Sequence, residues 1–314
     1  MWKYILNRIL WLIAIVFCTA FLIFTILYFT PGDPARYLLG SSAPAEDVAA
    51  FHTALGLDDP YIVQLGRYMY NTFIKFDFGT SWVYNVPVYS ELAARLPRTM
   101  IIGLSAMVLN VIIGLSLGIF AGTHEGKWQD SATMAIAMVF VSAPDFWVAL
   151  MMILLFTSKL GWLPAYGIGN WKCYIMPIIA SSLGGIANNS RQTRSSILEV
   201  LRADFITTAR AKGQAERKIV YKHMLPNALM PIITSLGNAL SRIIAGSAVI
   251  EAVFSIPGVG QYMLVSVNGR DYPAIRSSVL FFAVFAAVVM LLVDLVYAFV
   301  DPRIKAKYSG GGRK

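Results

Sequence analysis

The sequence predicts an all-α integral membrane protein with six transmembrane helices, and three observations support this fold class. First, 57% of the 314 residues are hydrophobic and only 14% are charged, whereas soluble domains carry about 25% charged residues. Second, the apolar residues cluster into runs long enough to cross a bilayer, which takes about 20 residues in a helix. Third, the sequence lacks the alternating segments of roughly 10 residues that are typical of a transmembrane β-barrel.

The first predicted span runs from Ile9 to Phe29, after a short basic start. It is longer than the apolar core of about 7–15 residues in a secretory signal, and no small-residue cleavage site precedes Pro31. We therefore interpret residues 1–30 as a retained N-terminal transmembrane helix.

The polar residues 31–97 are predicted to form an extracytoplasmic subdomain, in which acidic residues outnumber basic ones. Within it, four apolar residues recur at helical spacing, namely Ile62, Leu65, Met69 and Phe73. This spacing predicts an amphipathic helix that lies on the membrane or on the body of the protein.

The remaining apolar runs predict five further spans, at about 99–122, 132–157, 174–190, 228–255 and 276–300. Of the 26 Lys and Arg residues, 13 lie in 191–222 and after Asp301. Basic residues concentrate in cytoplasmic loops, so both termini are expected in the cytoplasm and the acidic 31–97 loop outside. Residues 98–302 would form the transmembrane core and 303–314 a cytoplasmic tail. Basic residues that flank spans in this way argue against nucleic acid as a partner, despite the net charge of +9.

Residues 191–227 form the most informative segment, with eight Lys or Arg residues and too much polarity to enter lipid. Apolar residues at helical spacing, then Gly213, then a second helical stretch from Glu216 to His223 predict two short helices joined at the glycine. Such a compact knob suits docking into a groove of a partner protein. The alternative is an ordinary basic loop held near anionic lipid headgroups.

This segment resembles the cytoplasmic signature of ABC importer permeases, which reads Glu-Ala-Ala, three residues, Gly, nine residues, and Ile-x-Leu-Pro. The matching positions are Ala209, Gly213, Leu225 and Pro226. Thr207 and Thr208 stand where the signature has Glu and Ala, and His223 replaces Ile. The peptide branch of the family commonly reads Thr-Ala-Arg-Ala-Lys-Gly, which is the sequence here from Thr208 to Gly213.

The resemblance extends over nearly the whole chain, to dipeptide, oligopeptide and nickel permeases. It is carried by Phe76–Ser81, Leu96–Thr99, Gly161–Pro164, Phe254–Gly260, Arg270–Pro273 and the closing Asp294–Arg303. The long loop after the first span resembles that of the first, B-type permease of the pair.

The resemblance implies a division of labour among several proteins. This chain has no G-x-x-x-x-G-K-[ST] phosphate loop, so it is expected to be a transport subunit and not an enzyme. The implied partners are a second homologous permease, two ATPase subunits that hold ATP and Mg, an extracytoplasmic solute-binding protein and membrane lipid. The resemblance implies that the protein is located in the inner (cytoplasmic) membrane of a prokaryote. Short peptides are the favoured solute and a nickel chelate the alternative, while a stand-alone secondary transporter would normally show more spans or an internal repeat.

Coupling to the ATPases is implied for the helices around 202–216. The residues concerned are Arg202, Asp204, Phe205, Thr208, Ala209, Arg210, Ala211, Lys212, Gly213, Glu216, Leu225 and Pro226.

Two opposite charges, Asp145 and Arg242, fall inside predicted spans at a similar depth of about 20 Å. A charge at the bilayer centre costs roughly 3 to over 10 kcal/mol, so each needs a partner or a watery cavity. We expect either a mutual ion pair, which is favoured, or contact with a solute in the pathway. The neighbouring Pro144 is expected to kink the third span, because proline removes a helix hydrogen bond.

Overall fold

The computed structural model describes residues 2–40 and 42–300, and in this part of the chain the fold is helical apart from one isolated β-bridge between Thr80 and Pro87. The predicted tail 303–314 lies outside the described residues. The helices of the first half are α1 (Trp2–Phe29), α2 (Pro34–Leu39), α3 (Ala45–Leu55), α4 (Tyr61–Phe73), α5 (Val88–Leu109), α6 (Leu115–Thr123), α7 (Trp128–Ser142) and α8 (Asp145–Met152). Those of the second half are α9 (Lys172–Leu201), α10 (Asp204–Ala211), α11 (Glu216–Lys218), α12 (Leu225–Val253), α13 (Val259–Asn268) and α14 (Tyr272–Val300).

Three π-helical turns extend or join these helices. Asn110–Gly114 joins α5 to α6, Ile153–Lys159 extends α8, and Ile219–Met224 joins α11 to α12. The joined helices are therefore continuous over Val88–Thr123 and over Glu216–Val253, which are 36 and 38 residues long. Single π turns inside α-helices are often found at functional sites.

Four helices among the described residues are long and apolar enough to cross a membrane, namely Ile5–Phe29, Val88–Thr123, Glu216–Val253 and Tyr272–Val296. A fifth span results if Trp128–Ser142 and Asp145–Lys159, which meet at an angle of 97°, are one broken helix. The predicted span 174–190 lies inside α9, which is not among them because it carries Asn188, Asn189 and several serines. The six-span count therefore stays a prediction.

The kink expected at Pro144 is a complete break of the helix. Helix α7 ends at Ser142 and α8 begins at Asp145, while Ala143 and Pro144 have extended backbone with ψ of 125° and 137°. Proline disfavours the α conformation of the residue before it, so the local sequence is sufficient to explain the break. Asp145 consequently lies in the first turn of a new helix.

By packing, the described residues divide into two compact units: one up to Pro97 together with Pro257–Leu291, and one of Arg98–Ile256 together with the residues from Leu292 onward. The predicted division into an N-terminal helix, a 31–97 subdomain and a 98–302 core stays a prediction.

In the first unit, the predicted amphipathic helix is α4. Its Met69 and Phe73 pack against a cluster formed by Val16, Ala20 and Leu280, whereas Ile62 at its start is 72% exposed. Burying such side chains contributes roughly 1.5–3 kcal/mol each, so α4 is held by this core along its second half.

In the second unit, α9 is the central helix and packs against α6, α7, α8 and α12. Helix α6 approaches it closely because Gly118 has no side chain; a Cβ there would lie 2.4 Å from Cβ of Thr193. Small residues at such crossings are typical of membrane helix pairs. The buried Asp130 of α7 accepts two hydrogen bonds from Arg194 of α9, at 2.5 and 2.7 Å. Thr193 and Arg194 of α9 therefore face α6 and α7.

Candidate functional site

The 191–227 segment contains one short separate helix, α10, and two stretches that belong to long helices. Residues up to Leu201 are the end of α9, and Glu216 begins the continuous helix that includes α12. The prediction of two short helices is therefore correct for α10 only. The second predicted helix exists but is the N-terminal part of the long helix Glu216–Val253.

Gly213 ends α10 in a left-handed conformation, with φ of +70°. Its N–H donates to the carbonyl of Arg210 at 2.9 Å, and the N–H of Gln214 donates to the carbonyl of Ala209 at 3.3 Å. These two bonds form the Schellman arrangement that satisfies the last carbonyls of a helix, and glycine is its preferred residue. The sequence expectation of a tight joint at Gly213 is matched by this geometry.

Helix α10 is docked by two side chains, Ile206 and Ala209, which are buried. They join a hydrophobic cluster with Ile197 of α9, Ile219 and Val220 of the π turn, and other residues of the α12 helix. The two residues are three apart and so share one face of the helix. That face holds α10 against the ends of α9 and α12.

The opposite face of α10 is exposed and includes Asp204, Thr208 and Ala211, with Phe205 (45% exposed) and Lys212 at its edge. The spacing i, i+4, i+7 puts the first three on one stripe. Most residues implied in coupling are thus accessible, including Arg202, Arg210, Gly213, Glu216 and Pro226. Ala209 is buried and Leu225 is half-buried, so these two support the position of α10.

Two ion pairs fix the segment further. Arg210 Nε donates to Glu216 Oε1 at 2.6 Å, and this hydrogen bond raises the pKa of Arg210 against the opposing effect of burial. Arg202 Nη2 donates to Glu125 Oε1 at 2.9 Å, in the loop after α6. Exposed pairs of this kind contribute at most about 1 kcal/mol each. They orient α10 more than they stabilise it.

A cavity of about 410 Å³ lies within the second unit, between the α7–α8 break, α9 and α12. Both Asp145 and Arg242 line it and are exposed to it. They are close enough to attract each other electrostatically. Among the described residues, however, neither has an ion-pair partner within 4.0 Å. The structure brings the two charges to one cavity without joining them in an ion pair.

Sequence reasoning missed the other polar and small residues of this cavity. Ser181, Asn188 and Gly184 line it from α9, and Gly246 from α12. A Cβ on Gly184 would lie 3.4 Å from Asp145 Oδ1, whereas one on Gly246 would meet nothing within 4 Å. The low hydropathy of α9 is the one sequence signal that could have identified this helix as a cavity wall.

A buried polar cluster lies behind the cavity and was also missed. Asn189 Nδ2 donates to Asn110 Oδ1 at 2.7 Å, and Ser235 Oγ donates to Asn189 Oδ1. Asn110 belongs to the first π turn. The cluster therefore ties α9 to the two long helices Val88–Thr123 and Glu216–Val253.

The first unit has a buried carboxylate of its own, Asp271. It accepts from Ser81 Oγ at 2.5 Å and from the backbone N–H of Trp82 at 3.1 Å. Asp271 is fully buried, and these bonds fasten the loop after α4 to the start of α14.

Comparisons with known proteins agree with this architecture. The family model described as binding-protein-dependent transport system inner membrane component matches residues 114–306, and its N-terminal counterpart matches residues 1–103. The chain is 38% identical over 307 residues to the glutathione transport system permease protein GsiC of Salmonella paratyphi A, covering 98% of this chain and 100% of that protein. The same values hold for GsiC of Escherichia coli K12.

A solved structure of the MetNI methionine ABC transporter in inward-facing conformations superimposes with a TM-score of 0.58, covering 67% of this chain and 96% of that one. The sequence identity is 19%, so this match concerns the fold alone. The two family models and the level of identity to GsiC show that the chain belongs to the inner-membrane permeases of prokaryotic ABC importers, in the peptide and oligopeptide family.

Proposed function

We propose that this chain forms, with a second homologous permease, the pathway of an importer for short peptides delivered by a solute-binding protein. The relatives that match over their whole length are named as glutathione permeases, and glutathione is itself a short peptide. Two ATPase subunits, which bind ATP and Mg, would supply the energy. The six-span arrangement, with residues 174–190 of α9 as the fourth span and both termini in the cytoplasm, belongs to this proposal.

The observation that carries the coupling role is the form of α10. It is a short helix held by a buried apolar face, capped at Gly213, and exposed along Asp204, Thr208 and Ala211. A helix presented in this way fits a groove on a partner protein. Because Ile206 and Ala209 of α10 share a buried cluster with residues of the helix Glu216–Val253, a movement of α10 would be transmitted to α12. Closure of the ATPases would then rock the spans between inward- and outward-open states.

The experiment that tests the solute is ATPase activity of the reconstituted complex with its solute-binding protein. Short peptides are compared with a nickel chelate as the stimulating solute. We expect stimulation by peptides. Stimulation by the chelate alone would support the importer function but overturn short peptides as the solute. Stimulation by neither solute would contradict both the importer function and the choice of solute.

The coupling role is tested by Phe205→Ala, with Tyr89→Ala as the matched control. Both residues are exposed aromatics near the start of a helix, and Tyr89 lies in the first unit. We expect Phe205→Ala to reduce co-purification of the ATPase subunits and Tyr89→Ala to leave it unchanged. Equal co-purification by both variants would contradict docking through this edge of α10.

A further inference from the structure

The cavity of the second unit contains one acidic and one basic side chain. Neither the Asp145 carboxylate nor the Arg242 guanidinium has a hydrogen-bond or ion-pair partner within the part of the chain that the structure describes. Charges in membrane segments face a cavity or a partner because desolvation is costly, and they commonly mark solute pathways. Arg242 lies 11 residues before the end of α12 at Val253, which is about 17 Å and near the middle of a hydrocarbon core of about 30 Å.

We propose that Asp145 binds the ammonium end and Arg242 the carboxylate end of a zwitterionic short peptide. This proposal rests on the proposed function and names the site within the pathway that recognises the solute. A guanidinium presents a planar fork of donors that matches a carboxylate, while a carboxylate accepts hydrogen bonds from an ammonium group. The two protein charges are one negative and one positive, so they complement a solute that carries one ammonium and one carboxylate terminus.

Other features of the cavity fit a peptide. The Ser181 hydroxyl is buried without a hydrogen-bond partner among the described residues, and it can serve a peptide N–H or C=O. Asn188 uses its side-chain N–H₂ group on the carbonyl of Gly184 at 2.9 Å, so its carbonyl oxygen remains to accept. The apolar wall includes Phe140 and Ile243. The volume of about 410 Å³ falls in the range of roughly 300–1,000 Å³ that holds small ligands.

The charge balance also discriminates between solutes. A chelate that carries carboxylates but no ammonium group would be attracted by Arg242 and repelled by Asp145, and no further basic residue among those the structure describes lines the cavity. The cavity therefore favours a solute with both an ammonium and a carboxylate terminus, as a peptide has, over an anionic chelate without a cationic group.

The test uses the purified complex with its second permease and ATPase subunits, in nanodiscs and without the solute-binding protein. Binding of three probes is measured by saturation-transfer NMR: alanyl-alanine, its N-acetyl derivative and its C-terminal amide. The wild type should prefer alanyl-alanine about tenfold over each blocked probe, which corresponds to one hydrogen bond to a charged group. Asp145→Asn should abolish the preference over the N-acetyl probe, and Arg242→Gln the preference over the amide.

The matched controls are Asp47→Asn and Arg191→Gln. Asp47 is in the first turn of α3 and Arg191 in α9, and both are exposed. They should bind all three probes as the wild type does. Equal binding of the three probes to the wild type, no saturable binding of alanyl-alanine, or a uniform loss of all probes in both cavity variants would overturn the proposal. Loss of only one preference would overturn the role of the other residue.

A separate variant tests the location of the site without touching its charges. Gly246→Leu adds a side chain that points into open space in the cavity wall, so it should lower the affinity for all three probes at least tenfold while the complex still elutes as one assembly. Unchanged affinity would place the solute elsewhere. ATPase stimulation by the loaded solute-binding protein is recorded in the wild-type complex in parallel. Stimulation without probe discrimination would overturn this site and leave the proposed function intact.

Discussion

Replacing Gly213 by alanine tests whether the cap of α10 depends on a backbone conformation that only glycine adopts freely. Gly213 has φ of +70°, and a Cβ there would have no neighbour within 4 Å. The cost of Gly213→Ala is therefore conformational and not steric. A non-glycine residue in the left-handed region costs roughly 1–2 kcal/mol. If this cost acts on local opening of the cap, the amides of Gly213 and Gln214 should exchange about 5- to 30-fold faster.

The assay is hydrogen exchange in the purified complex, read by mass spectrometry over residues 208–216 and, for the control, over α4. Gly66→Ala is the matched control, since Gly66 is exposed in the middle of α4, has no left-handed conformation and also has open space around it. There alanine should slow exchange slightly, because it favours a helix by up to about 1 kcal/mol. Gly213→Asn should fall between wild type and alanine, as Asn tolerates the left-handed region. Unchanged or slower exchange in Gly213→Ala would refute the reasoning.

The functional readout of the same variants is the number of peptides transported per ATP hydrolysed. We expect Gly213→Ala to lower this ratio and Gly66→Ala to leave it unchanged. A larger substitution, Gly213→Arg, should behave like alanine in hydrogen exchange, because the site has room for a side chain and the strain comes from the backbone. If both Gly213 variants transport as many peptides per ATP as the wild type, the cap of α10 plays no role in coupling ATP hydrolysis to transport.

Three further outcomes are expected. Ile206→Ala should loosen α10, because truncating a fully buried isoleucine costs about 2–5 kcal/mol; proteolysis within 204–213 should accelerate, whereas the exposed Thr207→Ala should not change it. Hydrogen bonds to Asp33 and Asp58 raise the pKa of His52 against the effect of burial. For Asp33, burial raises the pKa, but its hydrogen bonds with His52 and the N–H of Ala35 outweigh burial and lower the pKa. The stabilisation that protonated His52 contributes is full below a pH of about 6.5 and is lost as the pH rises through its raised pKa. The stabilisation that ionised Asp33 contributes is full above a pH of about 3.8 and is lost as the pH falls through its lowered pKa. Thermal stability should therefore be higher at pH 5.5 than at pH 8.5, and His52→Gln should remove this difference; a Tm difference that persists in the variant would contradict the assignment. Asp271→Asn should lower the Tm by several degrees, because it places an N–H₂ donor against the donors of Ser81 and Trp82 and leaves buried groups unpaired at about 1–3 kcal/mol; an unchanged Tm would mean that the loop after α4 is held by other contacts.

The predictions from sequence were sound where a local rule decides the structure. Pro144 breaks its helix because a proline and the residue before it both leave the α conformation. Gly213 ends α10 because only glycine enters the left-handed region without strain. The family signature located the end of α10 at Gly213, whereas no sequence signal marked its start at Asp204.

The sequence was less informative where tertiary packing decides. The stretch before Leu201 has the same helical spacing whether it is an independent helix or the end of α9, so periodicity could not separate the two. The polarity of α9 also gave no indication in the sequence that this helix is central to the second unit. Whether Asp145 and Arg242 form an ion pair depends on the helix break at Pro144 and on the space left by Gly184. The positions of charged residues in the sequence do not reveal either feature.

The length of the helix Glu216–Val253 has a consequence for where the ATPases meet the permease. Its 38 residues extend about 57 Å at 1.5 Å per residue, whereas the hydrocarbon core is about 30 Å thick. If Val253 marks the outer boundary, roughly 27 Å of this helix stands below the apolar layer as a stalk. The short helix α10 packs near the N-terminal end of this helix and would therefore lie in water, beyond the layer of lipid headgroups. There an ATPase subunit could bind it without contacting the bilayer.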